Sequence, residues 1–155
     1  MKKILILLIA TIMTFGLVGC AKSDKEVFKS YLKEAAKLNE MEREIYNEMA
    51  TTDKREWYKI DSNRVRDYSL EISKTLMPIK PQNRYEKTSE LQRLGSKCYS
   101  YAYELWLLQE GIVDDIDSVF SDYMDYYNYL VELANEYGIN LNDYGIIPIQ
   151  WDTLK

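Results

Sequence analysis

The chain has 155 residues, a formal net charge of −5 at pH 7 and 29% charged residues, and it contains no histidine. This acidic balance argues against a nucleic-acid partner, because such binding depends on basic side chains that neutralise phosphates. The lack of histidine excludes Ser-His and Cys-His nucleophile pairs, HExxH zinc sites and imidazole ligands, so we expect no enzyme, no metal site and no cofactor.

The first 20 residues have the organisation of a secretory signal. Lys2 and Lys3 give a positive start, and an apolar run follows at 4–18. That run is shorter than the roughly 20 residues that a membrane-spanning helix needs. It ends in Leu17-Val18-Gly19-Cys20, which resembles the lipobox of bacterial lipoproteins: a branched apolar residue, a small or β-branched residue, Gly or Ala, and then Cys.

This resemblance implies a lipid anchor. Residues 1–19 would be removed, the Cys20 thiol would carry a diacylglyceryl group, and residues 20–23 would tether the protein to the extracytoplasmic face of the cell membrane. Removal of the signal leaves 18 basic against 25 acidic residues, so we expect the lipid, not a basic patch, to provide membrane attachment. An ordinary signal peptide with an incidental cysteine and an uncleaved N-terminal anchor are the alternatives.

Four amphipathic helices are predicted after the tether, because glycine and proline are scarce and apolar residues recur every three or four positions. Their predicted ranges are 24–50, 54–76, 84–110 and 114–137. Ser23-x-x-Glu26 is a capping box for the first helix, and Asp53 caps the second. The prolines at 78 and 81 end the second helix, and glycines at 111 and 138 end the last two.

Short connections between such helices favour an all-α, up-down four-helix bundle in one domain at 24–155. The tail at 139–155 is different, because its apolar residues surround Gly145 and Pro148. We therefore expect an irregular strap that packs against the bundle.

The third helix carries the most regular apolar stripe. It is predicted to consist of Leu91, Leu94, Cys98, Tyr101, Leu105, Leu108 and Ile112. The position of Cys98 in this stripe predicts a buried, unreactive thiol. Gly95 lies inside the same helix and predicts a close contact with a neighbouring helix.

The fourth helix carries the candidate functional surface. Its inward residues are predicted to be Ile116, Phe120, Tyr123, Tyr127, Leu130, Ala134 and Tyr137. This phase leaves Asp122, Asp125, Tyr126 and Tyr129 facing outward. Residues 112–155 contain nine acidic residues and one basic residue, and tyrosines are enriched at protein interfaces. We therefore predict a surface for a protein partner of basic character, with core packing as the simpler alternative and the tail around 144–151 as the next candidate.

The lead prediction for function is a membrane-tethered, non-catalytic interaction protein. A lipoprotein of the phage or mobile-element type, which excludes or neutralises a specific protein at the membrane, is the alternative. An extracytoplasmic hydrolase with an unrecognised carboxylate site is a further alternative. The helical part resembles no named family.

Overall fold

The computed structural model describes residues 23–76, 87–113 and 115–154. Within these ranges the chain is all-helical and has no strand, which confirms the predicted all-α class. The four longer helices are α1 (Asp24–Thr51), α2 (Asn63–Leu76), α3 (Lys87–Gln109) and α4 (Ile116–Tyr137). None of the helices in the described part is both long enough and apolar enough to cross a membrane. The lipobox with Cys20, Asp114 and the prolines at 78 and 81 lie outside the described residues.

Three 3-10 helices complete the architecture. They are η1 (Lys54–Lys59), η2 (Leu141–Tyr144) and η3 (Trp151–Leu154). The last two lie in the predicted strap, residues 139–154, which packs against α1 and α4. Five of its side chains are buried, namely Leu141, Ile146, Ile149, Trp151 and Leu154. This part of the chain therefore packs against the helices, and it contains two short helical turns where the sequence predicts irregular structure.

Local sequence sets several of the helix ends. The Ser23 side chain accepts a hydrogen bond from the backbone N–H of Glu26, so α1 begins at the predicted cap. The Asp115 side chain caps α4 by accepting from the backbone N–H of Asp117 at 2.8 Å. Gly138 ends α4 with φ 62°, a left-handed conformation that glycine adopts without a steric penalty.

The predicted second helix at 54–76 is wrong in its first part. The structure divides it into η1 and α2, with a break at 60–62. Gln109 of α3 stabilises this break: its Oε1 atom accepts from the backbone N–H and the hydroxyl of Ser62, and its Nε2 atom donates to the Tyr58 carbonyl. Polar groups that lack a helical partner at the break are therefore satisfied by a residue 47 positions away from Ser62.

Where two helices make two contacts, the residue that comes earlier in one helix contacts the residue that comes later in the other. The pairs that show this are Arg66–Trp106 and Ser73–Gly95 for α2 and α3, Arg93–Tyr129 and Ser100–Asp122 for α3 and α4, and Phe28–Tyr137 and Tyr31–Tyr126 for α1 and α4. The described residues of all four helices contribute to one buried apolar cluster.

The apolar stripe of α3 is buried as predicted, except at its end. Cys98 is fully buried, in agreement with the prediction. Ile112 was expected to continue the stripe, but it is 64% exposed. The reason is that α3 ends at Gln109 and Gly111 adopts φ 68°, which turns the chain away from the helix axis.

Candidate functional site

The candidate surface on α4 differs from the prediction at its central residue. Tyr126 is only 4% exposed, so the prediction that it faces outward is wrong. Its hydroxyl lies 3.2 Å from the Tyr31 hydroxyl, and its ring stacks on Tyr101 with a centroid separation of 6.1 Å. Tyr126 therefore belongs to the core.

The error concerns only part of the predicted stripe. Its other members are buried as predicted, namely Ile116, Tyr123, Leu130, Ala134 and Tyr137. Val119 and Tyr126 are buried where the prediction placed Phe120 and Tyr127, and these last two residues are half-buried. Tyrosine rings at the edge of a core are apolar in body and polar at the tip, so sequence alone does not separate them from fully buried rings.

The other three predicted residues lie on the α3–α4 side of the molecule. Tyr129 is half-buried, with the Arg93 guanidinium 5.1 Å and the Lys97 ammonium 5.7 Å from its ring centroid. Lys97 also pairs with Asp125, and the Ser100 hydroxyl donates to Asp122 at 3.4 Å. Both acidic groups therefore interact with α3, and Lys97 offsets the charge that Asp125 offers to a partner.

The strap presents a different surface. Ile147 is 48% exposed and Pro148 beside it is also exposed. Pro148 also lines a cleft of about 200 Å³, together with Arg43, Tyr46, Asn47, Ile149 and Gln150. We call Ile147, Pro148 and this cleft the strap surface.

Asn39 of α1 fixes the backbone of the strap surface. This residue is buried, and its side-chain amide makes two hydrogen bonds of 3.0 Å with one residue of the strap. Its Nδ2 atom donates to the Ile147 carbonyl, and its Oδ1 atom accepts from the Ile147 N–H. The sequence prediction named the tail as the next candidate but missed Asn39, because a polar residue inside a helix ordinarily faces solvent.

Glu42 lies one helical turn after Asn39 and is 1% exposed. Burial raises the pKa of its carboxyl group to about 8, against the opposing effects of nearby Asn39 and Tyr101. Its Oε2 atom accepts from Asn39 Nδ2 at 3.4 Å, whereas its Oε1 atom has no hydrogen-bond partner of normal geometry among the described residues. Sequence reasoning missed this group, although it lies four residues after Leu38 and three before Ile45, on the buried side of α1.

Tyrosine hydroxyl groups lie near both Glu42 and Cys98. Burial raises the pKa of the Cys98 thiol to about 12, and it also raises the pKa of Tyr31 and Tyr126 well above the ordinary tyrosine value. A thiol with so high a pKa is protonated at neutral pH and is a poor nucleophile. The buried groups around Cys98 are therefore suited to packing and not to covalent chemistry.

Within the described residues no group of three or more cysteine or carboxylate side chains is arranged to hold a metal ion. Comparisons with protein-family models, with curated proteins and with solved structures find no match to this chain. The choice of a site therefore depends on the residues themselves, and the strap surface is the stronger of the two candidates.

Proposed function

We propose that the protein is a lipid-anchored, non-catalytic interaction module that binds a protein partner at the extracytoplasmic face of the cell membrane. The lipobox resemblance of Leu17-Val18-Gly19-Cys20 supports the anchor. Because α1 begins at Asp24, three residues of tether follow Cys20, and the helices would be held close to the membrane.

For the fold, we propose an up-down arrangement of α1–α4 that the strap completes. The opposite order of contacts between neighbouring helices supports it, as does the hydrogen bond of 2.6 Å from Lys25 Nζ to the Tyr137 carbonyl. That bond joins the first turn of α1 to the last residue of α4. The strap would then start at the membrane-proximal end and run toward the distal end, where Thr153 meets Tyr46.

The observation that carries the binding role is the attachment of Ile147 to Asn39. The buried Asn39 amide fixes the backbone of Ile147, whose apolar side chain is about half exposed to solvent. A contact residue that is already ordered loses little conformational entropy on binding, which raises affinity. An exposed apolar group on a fixed backbone is therefore suited to docking into a partner.

The expected partner is a protein with an apolar pocket for Ile147 and Pro148. The strap at 139–154 contains Asp143 and Asp152 and no basic residue, which favours basic groups on the partner, because opposite charge speeds encounter and excludes partners of like charge. This replaces the α4 surface of the sequence prediction while keeping a basic protein as the expected partner.

Site-specific photo-crosslinking in the cells that make the full-length protein tests this proposal. A photoreactive residue replaces the exposed Gln150 in the cleft, and the variants Ile147→Asp and Ile112→Asp are compared on that background. We expect one discrete crosslinked protein, which Ile147→Asp reduces at least about tenfold. Ile112→Asp is the matched control, because Ile112 is also exposed but lies at the end of α3. Equal crosslinking in both variants, or none from position 150, would contradict the strap surface.

A further inference from the structure

The last part of the strap, residues 146–154, is fastened to the helices by a small set of polar contacts, and we call it the lid segment. The Asn39 amide makes two hydrogen bonds with the Ile147 backbone, and the Ile149 N–H donates to the Tyr123 hydroxyl at 2.7 Å. The hydroxyls of Tyr46 and Thr153 form a further hydrogen bond of 2.6 Å. Trp151 is its apolar anchor: it is fully buried among the rings of Tyr46, Tyr101 and Tyr123.

Glu42 lies under this segment. Asn39, Glu42 and Tyr46 occupy successive turns on one side of α1, since residues three and four apart are neighbours on a helix. The first and the third of them contact the lid segment directly. Glu42 also touches Asn39, the residue that holds Ile147, through the 3.4 Å contact of its Oε2 atom.

The surroundings of Glu42 suit a neutral carboxyl group. The groups that respond to its charge are Tyr31 on α1, Cys98 and Tyr101 on α3, and Tyr123 and Tyr126 on α4. No cation is among the groups that act on its charge in the described part of the chain. A buried carboxylate that has no cation beside it, and only Asn39 and the Tyr101 hydroxyl as polar neighbours, is stabilised by water or further donors.

We propose that residues 146–154 form a pH-gated lid, in which ionisation of Glu42 releases this segment from α1 and α4 while the four helices remain folded. Release admits water to Oε1, and it frees the Asn39 N–H group that otherwise donates to Ile147. Both changes stabilise the carboxylate. The lid segment is the element that yields, because it is short: four hydrogen bonds and four buried side chains hold it, those of Ile146, Ile149, Trp151 and Leu154. Each of the four helices has more residues in the common core.

Opening of the lid would also remove the strap surface, because Ile147 and Pro148 lie within the segment. That consequence depends on the proposed function, whereas opening itself does not. Alkaline conditions outside the cell would then weaken partner binding without changing the lipid anchor.

Hydrogen–deuterium exchange of the full-length protein, without any partner, tests the lid directly. Exchange is measured by mass spectrometry at about pH 6 and about pH 9 and is corrected for the intrinsic pH dependence of amide exchange. At about pH 9, one unit above the pKa of Glu42, the ionised form is favoured about tenfold. Each pH unit between about pH 6 and the pKa of about 8 makes exposure of the carboxyl group about tenfold easier, so protection of the peptide 146–154 should fall by up to about a hundredfold. Peptides from α2 and α3 exchange by global unfolding and should remain more protected than the lid segment.

Glu42→Gln should keep the lid protected at both pH values. Glu40→Gln is the matched control, because Glu40 is exposed on the same helix, and it should behave as the native chain does. If Glu42→Gln does not fold, Glu42→Met provides a neutral side chain of similar length. The proposal is overturned if the native lid stays protected at about pH 9, if neutral variants lose protection as the native chain does, or if the lid segment and the helices exchange together in a single global step.

Discussion

The Ser73 hydroxyl donates a hydrogen bond of 2.7 Å to the Gly95 carbonyl oxygen and so joins α2 to α3. The two backbones meet closely here: a Cβ atom added to Gly95 would lie 3.2 Å from the Ser73 carbonyl oxygen. Glycine inside a helix lowers stability by about 1 kcal/mol relative to alanine. The close approach of the two backbones explains why glycine occupies position 95 despite that cost.

Gly95→Ala should therefore destabilise the protein even though it favours the helix. The gain in helix propensity is about 1 kcal/mol, and overpacking against a helical backbone costs about 1–3 kcal/mol. We expect a net loss of about 1 kcal/mol in the free energy of unfolding, measured by urea denaturation. Ser96→Ala is the control, since Ser96 is the exposed next residue and its replacement should be neutral or slightly stabilising. A higher melting temperature for Gly95→Ala would contradict the close contact.

Tyr126 and Tyr129 should respond differently to truncation, because the first lies in the core and the second at its edge. Tyr126→Ala should reduce the free energy of unfolding by about 3–5 kcal/mol, the usual cost of emptying an aromatic site. Tyr129→Ala should cost about 1–2 kcal/mol, from partial burial and lost cation–π contacts. Urea denaturation followed by circular dichroism measures both values. Equal, small costs would mean that Tyr126 faces solvent after all.

The helix ends show which parts of the fold depend on local sequence. Ser23 and Gly138 act on their own neighbours, so the start of α1 and the end of α4 could be predicted from short sequence patterns. The break between η1 and α2 could not, because the group that satisfies Ser62 comes from Gln109 on another helix.

The candidate site was harder to predict for a related reason. Hydrophobic periodicity assigns polar residues to the surface, whereas the core here contains Asn39 and Glu42. Their burial depends on the strap and on α3, which return to α1 only in the folded chain. The edge of the buried face of α4 was ambiguous because the helix carries tyrosines on more than one side, and the adjacent Tyr126 and Tyr127 differ in burial.

Cys98 should react slowly with thiol reagents in the native protein. The thiol is fully buried and its pKa is raised to about 12, so the reactive thiolate is scarce at neutral pH. Modification of the full-length protein is followed by mass spectrometry of the Cys98 peptide, with and without denaturant. We expect at least a hundredfold difference in rate, of the order that local stability of a core helix gives. Equal rates would show that the thiol is open to solvent.

Glu42 should make global stability decrease with increasing pH. Its pKa is about 8 in the folded protein against an ordinary value of 4.5, so between these values the folded state binds more protons than the unfolded state. The contribution of Glu42 to the free energy of unfolding is then largest below about pH 4.5. It falls by up to about 1.4 kcal/mol per pH unit between about pH 4.5 and pH 8, and it is constant above about pH 8. Urea denaturation at several pH values should show this slope in the native chain and in Glu40→Gln, but not in Glu42→Gln. A slope that survives in Glu42→Gln would assign the proton to another group.

Cys20→Ala should abolish lipid attachment. The prediction follows from the resemblance of Leu17-Val18-Gly19-Cys20 to a lipobox, in which the cysteine thiol is the acceptor of the diacylglyceryl group. Cells that make the full-length protein are grown with a labelled fatty acid, and membrane extracts are separated into detergent and aqueous phases. We expect the native protein to be labelled and to enter the detergent phase, and Cys20→Ala to be unlabelled. Two acyl chains are needed for stable anchoring, so the variant should also be released from membranes if its signal is still cleaved.

Cys98→Ala is the matched control, because it removes the other cysteine and should leave both label and partition unchanged. A Cys20→Ala protein that is still processed and labelled, and that still enters the detergent phase, would contradict the lipid anchor.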